Sequence, residues 1–218
     1  MSDASERSTR NRTGRSDSDG RFDPAIGLLE FDSIVAGIVA GDAMAKSSPV
    51  ASLYAGTVHP GRYLVLVGGD TAAVQIALEN GGNDTVVDSL FLADVHPAVI
   101  AAFTTTDVAG TVDGDAVGIV ETSSTAAAIV AADAGVKTAG VALLALRLAD
   151  DLGGKAYCLF GGTVADVDAA VEGAIERVES SGQLLNSAVI AQLHDDMRAN
   201  LDAELRFNHR LRRGHGAG

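Results

Sequence analysis

With 16 Lys plus Arg against 29 Asp plus Glu, the 218-residue chain carries a net charge of −13 and lacks the clustered cations on which phosphate and nucleic-acid binding rest. Its 47 % apolar share is enough to build a core, but with 4 % aromatics, no Trp and 25 Gly that core is one of small aliphatic residues. The single Cys158 excludes a disulfide framework and any Cys-rich zinc module, and no apolar run is long enough to span a bilayer, so the chain reads as soluble and cytosolic.

Charge is unevenly spread. Met1 to Arg21 holds five Arg and four acids, Arg206 to Gly218 four Arg and no acid, which leaves 7 basic and 25 acidic residues between them. Residues 1–23 offer nothing to bury and lack the apolar segment of a secretory signal, so they read as a disordered tail. Residues 206–218 read as a basic tail, either a solvated end or a strip for docking acidic surface.

Between the tails the sequence repeats itself. AIGLLEFDSIVAGIVAGDAMAK (Ala25 to Lys46) returns without a gap as AVGIVETSSTAAAIVAADAGVK (Ala116 to Lys137), keeping Glu30/Glu121, Ser33/Ser124, Asp42/Asp133 and Lys46/Lys137 in step. PGRYLVLVGGDTAAV then aligns with GGKAYCLFGGTVADV after a two-residue insertion in the preceding loop, and ADVHPAV with AQLHDDM, which sets His96 opposite His194. The chain is a tandem duplication, with domains at 24–104 and 115–205 and a polar linker at 105–114.

Each copy predicts the same elements. Ile26 to Phe31 is a strand, after which Asp32 or Ser33 caps a helix to about Lys46. Ile34 and Ile38 share one face of that helix, while Gly37 and Gly41 offer another where a backbone can come close. A strand over Val50 to Tyr54 leads to His59-Pro60-Gly61, a type II turn with Pro second and a positive φ at the Gly. Tyr63 to Val67 is an apolar strand, covered on both faces.

Asp70 caps a helix over Thr71 to Asn80, and Thr163, with Asp166 as capping-box partner, one over Val164 to Val178. Val86 to Ala93 and Leu184 to Ala191 are the last strands. Pro97 starts a short helix, and Met197, Leu201 and Leu205 form a stripe on another. The class is α/β (α+β), with the order strand-helix-strand-strand-helix-strand twice.

No catalytic constellation stands out. Cys158, inside a strand with no basic neighbour, reads as a buried inert thiol. His96 and His194 recur at equivalent strand-to-helix junctions, which favours a structural role. Gly68-Gly69-Asp70 and Gly161-Gly162-Thr163 complete no phosphate loop and are explained by helix capping. Asp166, Asp168, Glu172 and Glu176 fall at helical spacing and read as a solvated face.

The twice-occurring signature (A-[IV]-G, two apolar residues and Glu, a small-residue helix, D-A-x-x-K, a turn, an apolar strand, then G-G) resembles the bacterial microcompartment (BMC) shell domain. Two copies resemble the tandem-domain shell proteins that assemble as trimers, most of all the unpermuted tandem type of propanediol-utilising compartments. The likeness spans Ala25 to about Leu205. It implies a ferredoxin-like sandwich in each domain. It also implies a structural, non-enzymatic function: a homotrimeric, pseudohexameric tile that packs edge to edge in the microcompartment shell within the cytoplasm. Other shell proteins and encapsulated enzymes would be its partners, and small metabolites would cross a central pore; neither nucleic acid nor membrane would be.

In that family the pore-lining loops match Val58, His59, Pro60 and Gly61 in copy one and Asp151, Leu152, Gly153 and Gly154 in copy two. Lys46 and Lys137 match the lysine at the tile edge. Three His59 and three Asp151, with Asp150 behind, would face the axis and disfavour anions unless the histidines are protonated. Some relatives carry Cys where His59 stands and hold an iron–sulfur cluster there. With His in that place no cluster and no other cofactor is expected, a transition metal on three symmetry-related His59 imidazoles being the minor alternative to no metal site. AQLHDDM departs from a Pro-Arg-Pro-His often found in relatives, which removes an arginine edge contact. The alternative is a duplicated small-molecule-binding regulatory module, distinguished by a discrete dimer with saturable ligand binding.

Overall fold

The computed structural model describes residues 24–104 and 114–201. The expected tails, Leu205 and all of the linker but Gly114 lie outside the described residues. The first domain runs β1 (Ala25–Phe31), α1 (Ile34–Ser47), β2 (Ser52–Val58), β3 (Arg62–Gly69), α2 (Thr71–Gly81), β4 (Val86–Leu92) and α3 (Pro97–Thr104). The second runs β5 (Ala116–Thr122), α4 (Thr125–Thr138), β6 (Ala142–Leu148), β7 (Ala156–Gly162), α5 (Val164–Val178), a 3-10 turn (Glu179–Ser181), β8 (Leu184–Ala191) and α6 (Asp195–Leu201).

Both sheets are antiparallel and ordered alike, β2-β3-β1-β4 and β6-β7-β5-β8. This is the ferredoxin-like arrangement that the resemblance to the BMC shell domain implied. One irregularity recurs: β1 slips register at Glu30/Phe31 against β4, and β5 at Glu121/Thr122 against β8, whereas the slip at Leu143/Ala145 between β6 and β7 has no counterpart between β2 and β3. Ser33 and Ser124 cap α1 and α4, accepting from Ala36 N–H at 3.3 Å and Ala127 N–H at 3.1 Å. Each such cap is worth about 1 kcal/mol. Asp70 caps α2 through the N–H groups of Ala72 and Ala73 at 3.0 and 3.3 Å. Thr163 accepts from Asp166 N–H at 3.2 Å, but the Asp166 carboxylate takes the Thr163 hydroxyl at 2.7 Å, so no reciprocal capping box forms.

One strand differs from expectation. β2 begins at Ser52 and runs to Val58, because its ladder to β3 continues from Ser52↔Gly68 through Gly56 to Val58↔Arg62. Gly37 meets the Tyr63 ring instead of a backbone. Within the core, size is conserved across the repeat by paired exchange. Met44 and Val67 of the first domain are replaced by Gly135 and Phe160 in the second, and the Phe160 ring fills the space above Gly135.

Successive strand residues face opposite ways. From β1, Ala25, Leu29 and Phe31 pack with Val65 and Val67 against Ala40, Met44, Val74 and Ala77 of α1 and α2. Ile26 and Leu28 face the other way with Leu90 and Leu92. There they share one continuous core with Ala126, Ala127 and Ile129 of α4. Helix α4 therefore covers the second face of the first domain's sheet, and every residue of β1 is buried.

Candidate functional site

The β2–β3 turn is Val58-His59-Pro60-Gly61, closed by the Gly61 N–H donating to the Val58 carbonyl at 2.9 Å. Pro60 thus stands third, after a cis His59–Pro60 bond, making a type VI turn in place of the expected type II. Gly61 does take the positive φ, at 106°. In the second domain Leu148 pairs with Ala156 as Thr57 pairs with Tyr63, so the inserted residues lie in the turn itself. Leu152 N–H donates to the Ala149 carbonyl at 3.1 Å and Lys155 N–H to the Leu152 carbonyl at 3.2 Å.

Four residues of that turn, Ala149, Asp151, Gly153 and Gly154, are left-handed. The two turns meet. A Cβ on Gly154 would stand 2.8 Å from Pro60 Cδ, and His59 Nδ1 lies 4.0 Å from Asp150 Oδ1. All eight residues expected at a pore therefore sit in two touching turns; His59, Pro60, Gly61, Asp151 and Gly153 are exposed, Val58 and Leu152 half-buried, and Gly154 buried.

The seam between the domains is polar at both ends of α4 and apolar between them. Glu30 is fully buried there. Its Oε1 receives Arg62 Nη1 at 2.6 Å, and its Oε2 accepts the Thr125 N–H at the start of α4 at 2.9 Å. Arg62 also donates to the Ser123 carbonyl at 3.2 Å. A carboxylate at a helix N-terminus is favoured by the helix dipole. Burial still pushes the Glu30 carboxyl above its ordinary range, with Arg62 and the α4 amides pulling it back. Further along, the Ser124 hydroxyl bonds the Asp88 carboxylate, and Asp133 Oδ1 accepts the His96 N–H at 2.8 Å. Asp133 Oδ2 and the Asp94 carbonyl both receive Lys137 Nζ. None of these cross-domain partners was expected from sequence. The signal for Glu30 was an acid recurring inside an apolar strand in both copies.

Both halves of this seam exist a second time, and among the described residues their apolar side chains are left uncovered. On α1, Ile34, Val35, Ile38 and Val39 are 40, 74, 53 and 64 % exposed, whereas of their equivalents on α4 Thr125, Ala126 and Ile129 are at most 1 % exposed and Val130 is half-buried. On the second domain, Ile190 and Met197 are 38 and 51 % exposed, whereas the equivalent Leu92 and Val99 are 9 and 0 %. Glu121 pairs with Lys155 at 2.8 Å, as Glu30 does with Arg62, but no helix N-terminus stands over it.

The expected edge lysines lie at matching helix ends. Lys46 is exposed and pairs with Asp42 at 2.5 Å; Lys137 is held at the seam. Beside Lys137 a shallow cleft of about 410 Å³ is walled by Asp94, Asp133 and Arg177 over Phe91, Leu92 and Val130. The histidines at the strand ends are structural: His96 Nδ1 accepts the Ala98 N–H and His194 Nδ1 the Asp196 N–H, each at 3.2 Å. Burial pushes the Cys158 thiol up to about 12. Among the described residues no three His, Cys, Asp or Glu side chains are grouped to hold a metal, and no helix is long and apolar enough to cross a membrane.

The BMC domain family model matches residues 25–101 and again 116–193. The chain is 44 % identical over 177 residues to the bacterial microcompartment shell protein PduT of Citrobacter freundii, covering 79 % of this chain and 95 % of that one. It is 28 % identical over 194 residues to the carboxysome assembly protein CcmO of Synechocystis, covering 82 % and 65 %. A crystal structure of a microcompartment protein from Desulfitobacterium hafniense superposes with a TM-score of 0.68 at 38 % identity, covering 80 % of this chain and 98 % of that one. Two complete family matches in tandem decide against the regulatory-module alternative: the chain belongs to the BMC-domain family and is a tandem-domain bacterial microcompartment shell protein.

Proposed function

We propose that three chains close head to tail into a six-domain tile of the shell, with the β2–β3 and β6–β7 turns around its centre. The observation that carries this reading is the pair of unmatched half-seams. The apolar face of α1 and the β8–α6 face are the two sides of a joint already made once inside the chain. A joint that leaves complementary halves at either end is heterologous, and such joints build rings when the rotation closes. Six domains from three chains close a ring with the same joint throughout.

Geometry then points the turns at the axis. In a ring of six equivalent units, equivalent points on neighbours are as far from each other as from the axis. Gly61 and Gly154 are equivalent, and Gly154 packs on Pro60, so the turns lie within a few residues' width of the centre. Small metabolites would pass between them. Lys46 and Lys137 would face neighbouring tiles from the rim, Lys46 reaching carbonyls there on its apolar stem and Lys137 doing so only by giving up its bonds to Asp133 and the Asp94 carbonyl. The residues around His59 do not fit an iron–sulfur cluster, since the one cysteine, Cys158, is buried in a strand and the side chain beside His59 is the Asp150 carboxylate. The role is structural, in the microcompartment shell, beside other shell proteins and around encapsulated enzymes.

Sedimentation velocity tests the ring directly. The expected species has three times the 22.1 kDa chain mass, and micrographs should show hexagonal outlines or sheets. A monomer, or a dimer, at micromolar concentration would overturn the reading.

A further inference from the structure

We infer that the turns make the aperture favour cations and neutral polar molecules over carboxylates and phosphates, and that protonation of His59 relaxes this preference. The inference rests on the ring proposed above. It adds the charge class of the permeant and its dependence on pH.

The charges at the turns do not cancel. Asp150 and Asp151 are both exposed, and among the described residues the cationic candidate at Asp150 is His59, 4.0 Å away. The nearby fixed cations are committed elsewhere. Lys155 pairs with Glu121 at 2.8 Å, and Arg62 turns into the seam to Glu30 at 2.6 Å. Arg147 stands further up β6, opposite Tyr157 in the ladder. Each chain therefore sets two carboxylates against one titratable imidazole at the turns, and a trimer does so three times over.

The backbone keeps those carboxylates where they are. Asp151 is held left-handed at φ 63° between the two hydrogen bonds that close the β6–β7 turn. Gly154 is locked on Pro60, which sets His59 and Asp150 side by side across the domain seam. Rings of carboxylates select cations by field and hydrogen bonding. An aperture narrower than the Debye length, about 10 Å at 0.1 M salt, feels that field undiminished. Protonation of His59 would set a positive charge beside Asp150, 4.0 Å away, and so weaken that field.

The test is the reversal potential of the purified full-length protein in planar bilayers under a potassium chloride gradient, with sedimentation of the same samples. At about pH 8 the potassium-to-chloride permeability ratio should be several-fold above one, and at about pH 5.5 it should fall at least about twofold. The double variant Asp150→Asn/Asp151→Asn should bring the ratio near one at about pH 8 and below one at about pH 5.5, where only the His59 charge is left. His59→Gln should keep the high ratio and lose the pH step. Conducting trimers whose ratio ignores these substitutions overturn the inference and leave the ring intact. Trimers that carry no current overturn the pore, and non-trimeric protein overturns the ring; the inference falls with either.

Discussion

Val35→Asp tests the unmatched face of α1 where it is most exposed. Val35 is 74 % exposed in the single chain, so the substitution touches little within it, and surface changes of this kind cost at most about 0.5 kcal/mol of folding stability. In the ring the same residue takes the place that Ala126 holds at 1 % exposure. The four apolar residues of this face together hide about two whole side chains when their exposure falls to that of α4. At roughly 1.5–3 kcal/mol per buried aliphatic side chain, each joint gains about 3–6 kcal/mol. An unpaired carboxylate in its middle removes Val35's share and adds a desolvation cost of several kcal/mol. The joint then has nothing left, and it occurs three times per ring. Sedimentation velocity of Val35→Asp should give the 22.1 kDa chain alone, with an unchanged far-ultraviolet spectrum. If wild type is trimeric and Val35→Asp is equally so, α1 is not at the joint.

Met197→Asp, on the opposite half of the joint, should also give monomers, and a trimer from this variant would remove α6 from the interface. Gly135→Ala drives a methyl to within 2.3 Å of the Phe160 ring and should cost about 1–3 kcal/mol in urea denaturation. Adding Phe160→Val, which copies the first domain, should recover part of that loss; strictly additive costs would contradict the exchange argument. Cys158, with its thiol near 12, stays protonated at pH 8 and should resist iodoacetamide until the chain is unfolded; rapid labelling of native protein would show the strand opens. Glu30 has its folded pKa raised, so its contribution to stability is fully present below the ordinary carboxyl value of 4.5 and is lost as pH rises through the folded value. Urea midpoints should therefore fall with rising pH in wild type relative to Glu30→Gln, and parallel curves would refute the shift.

The fold was legible because the chain states it twice. Ser33 and Ser124, Asp70 and Thr163, and the apolar runs between them announce where helices and strands begin, and two copies remove the ambiguity that one leaves. The turn residues were legible as a group, since Gly, Pro and Asp clusters mark turns. The turn type was not. Whether Pro60 stands second or third depends on which carbonyl Gly61 bonds, and that is fixed by the β2–β3 register. The cross-domain seam stayed hidden for a related reason. Its partners, Glu30 with Thr125 and Asp133 with His96, are far apart in sequence, and periodicity within one element cannot report on contacts between two.

The two joints of the proposed ring are the same in outline and different in strength, and the difference follows from covalency. Within the chain the domains meet as one molecule, so docking α4 costs none of the translational and rotational freedom that association does. There the helix can present Thr125 and Ala126 and rely on a buried Glu30–Arg62 pair for registry. Between chains the same positions are Ile34 and Val35, with more apolar surface to bury, and the ion pair is Glu121–Lys155, whose ammonium is compact and strongly hydrated. The bimolecular joint thus carries the larger hydrophobic term, as it must to offset association. Exchanging the pairs, with Ile34→Thr and Val35→Ala on α1, should leave the chain folded while raising the concentration at which trimers dissociate by at least about tenfold, read by sedimentation equilibrium. No change in that concentration would mean the extra methyl groups of α1 are not what holds neighbouring chains together.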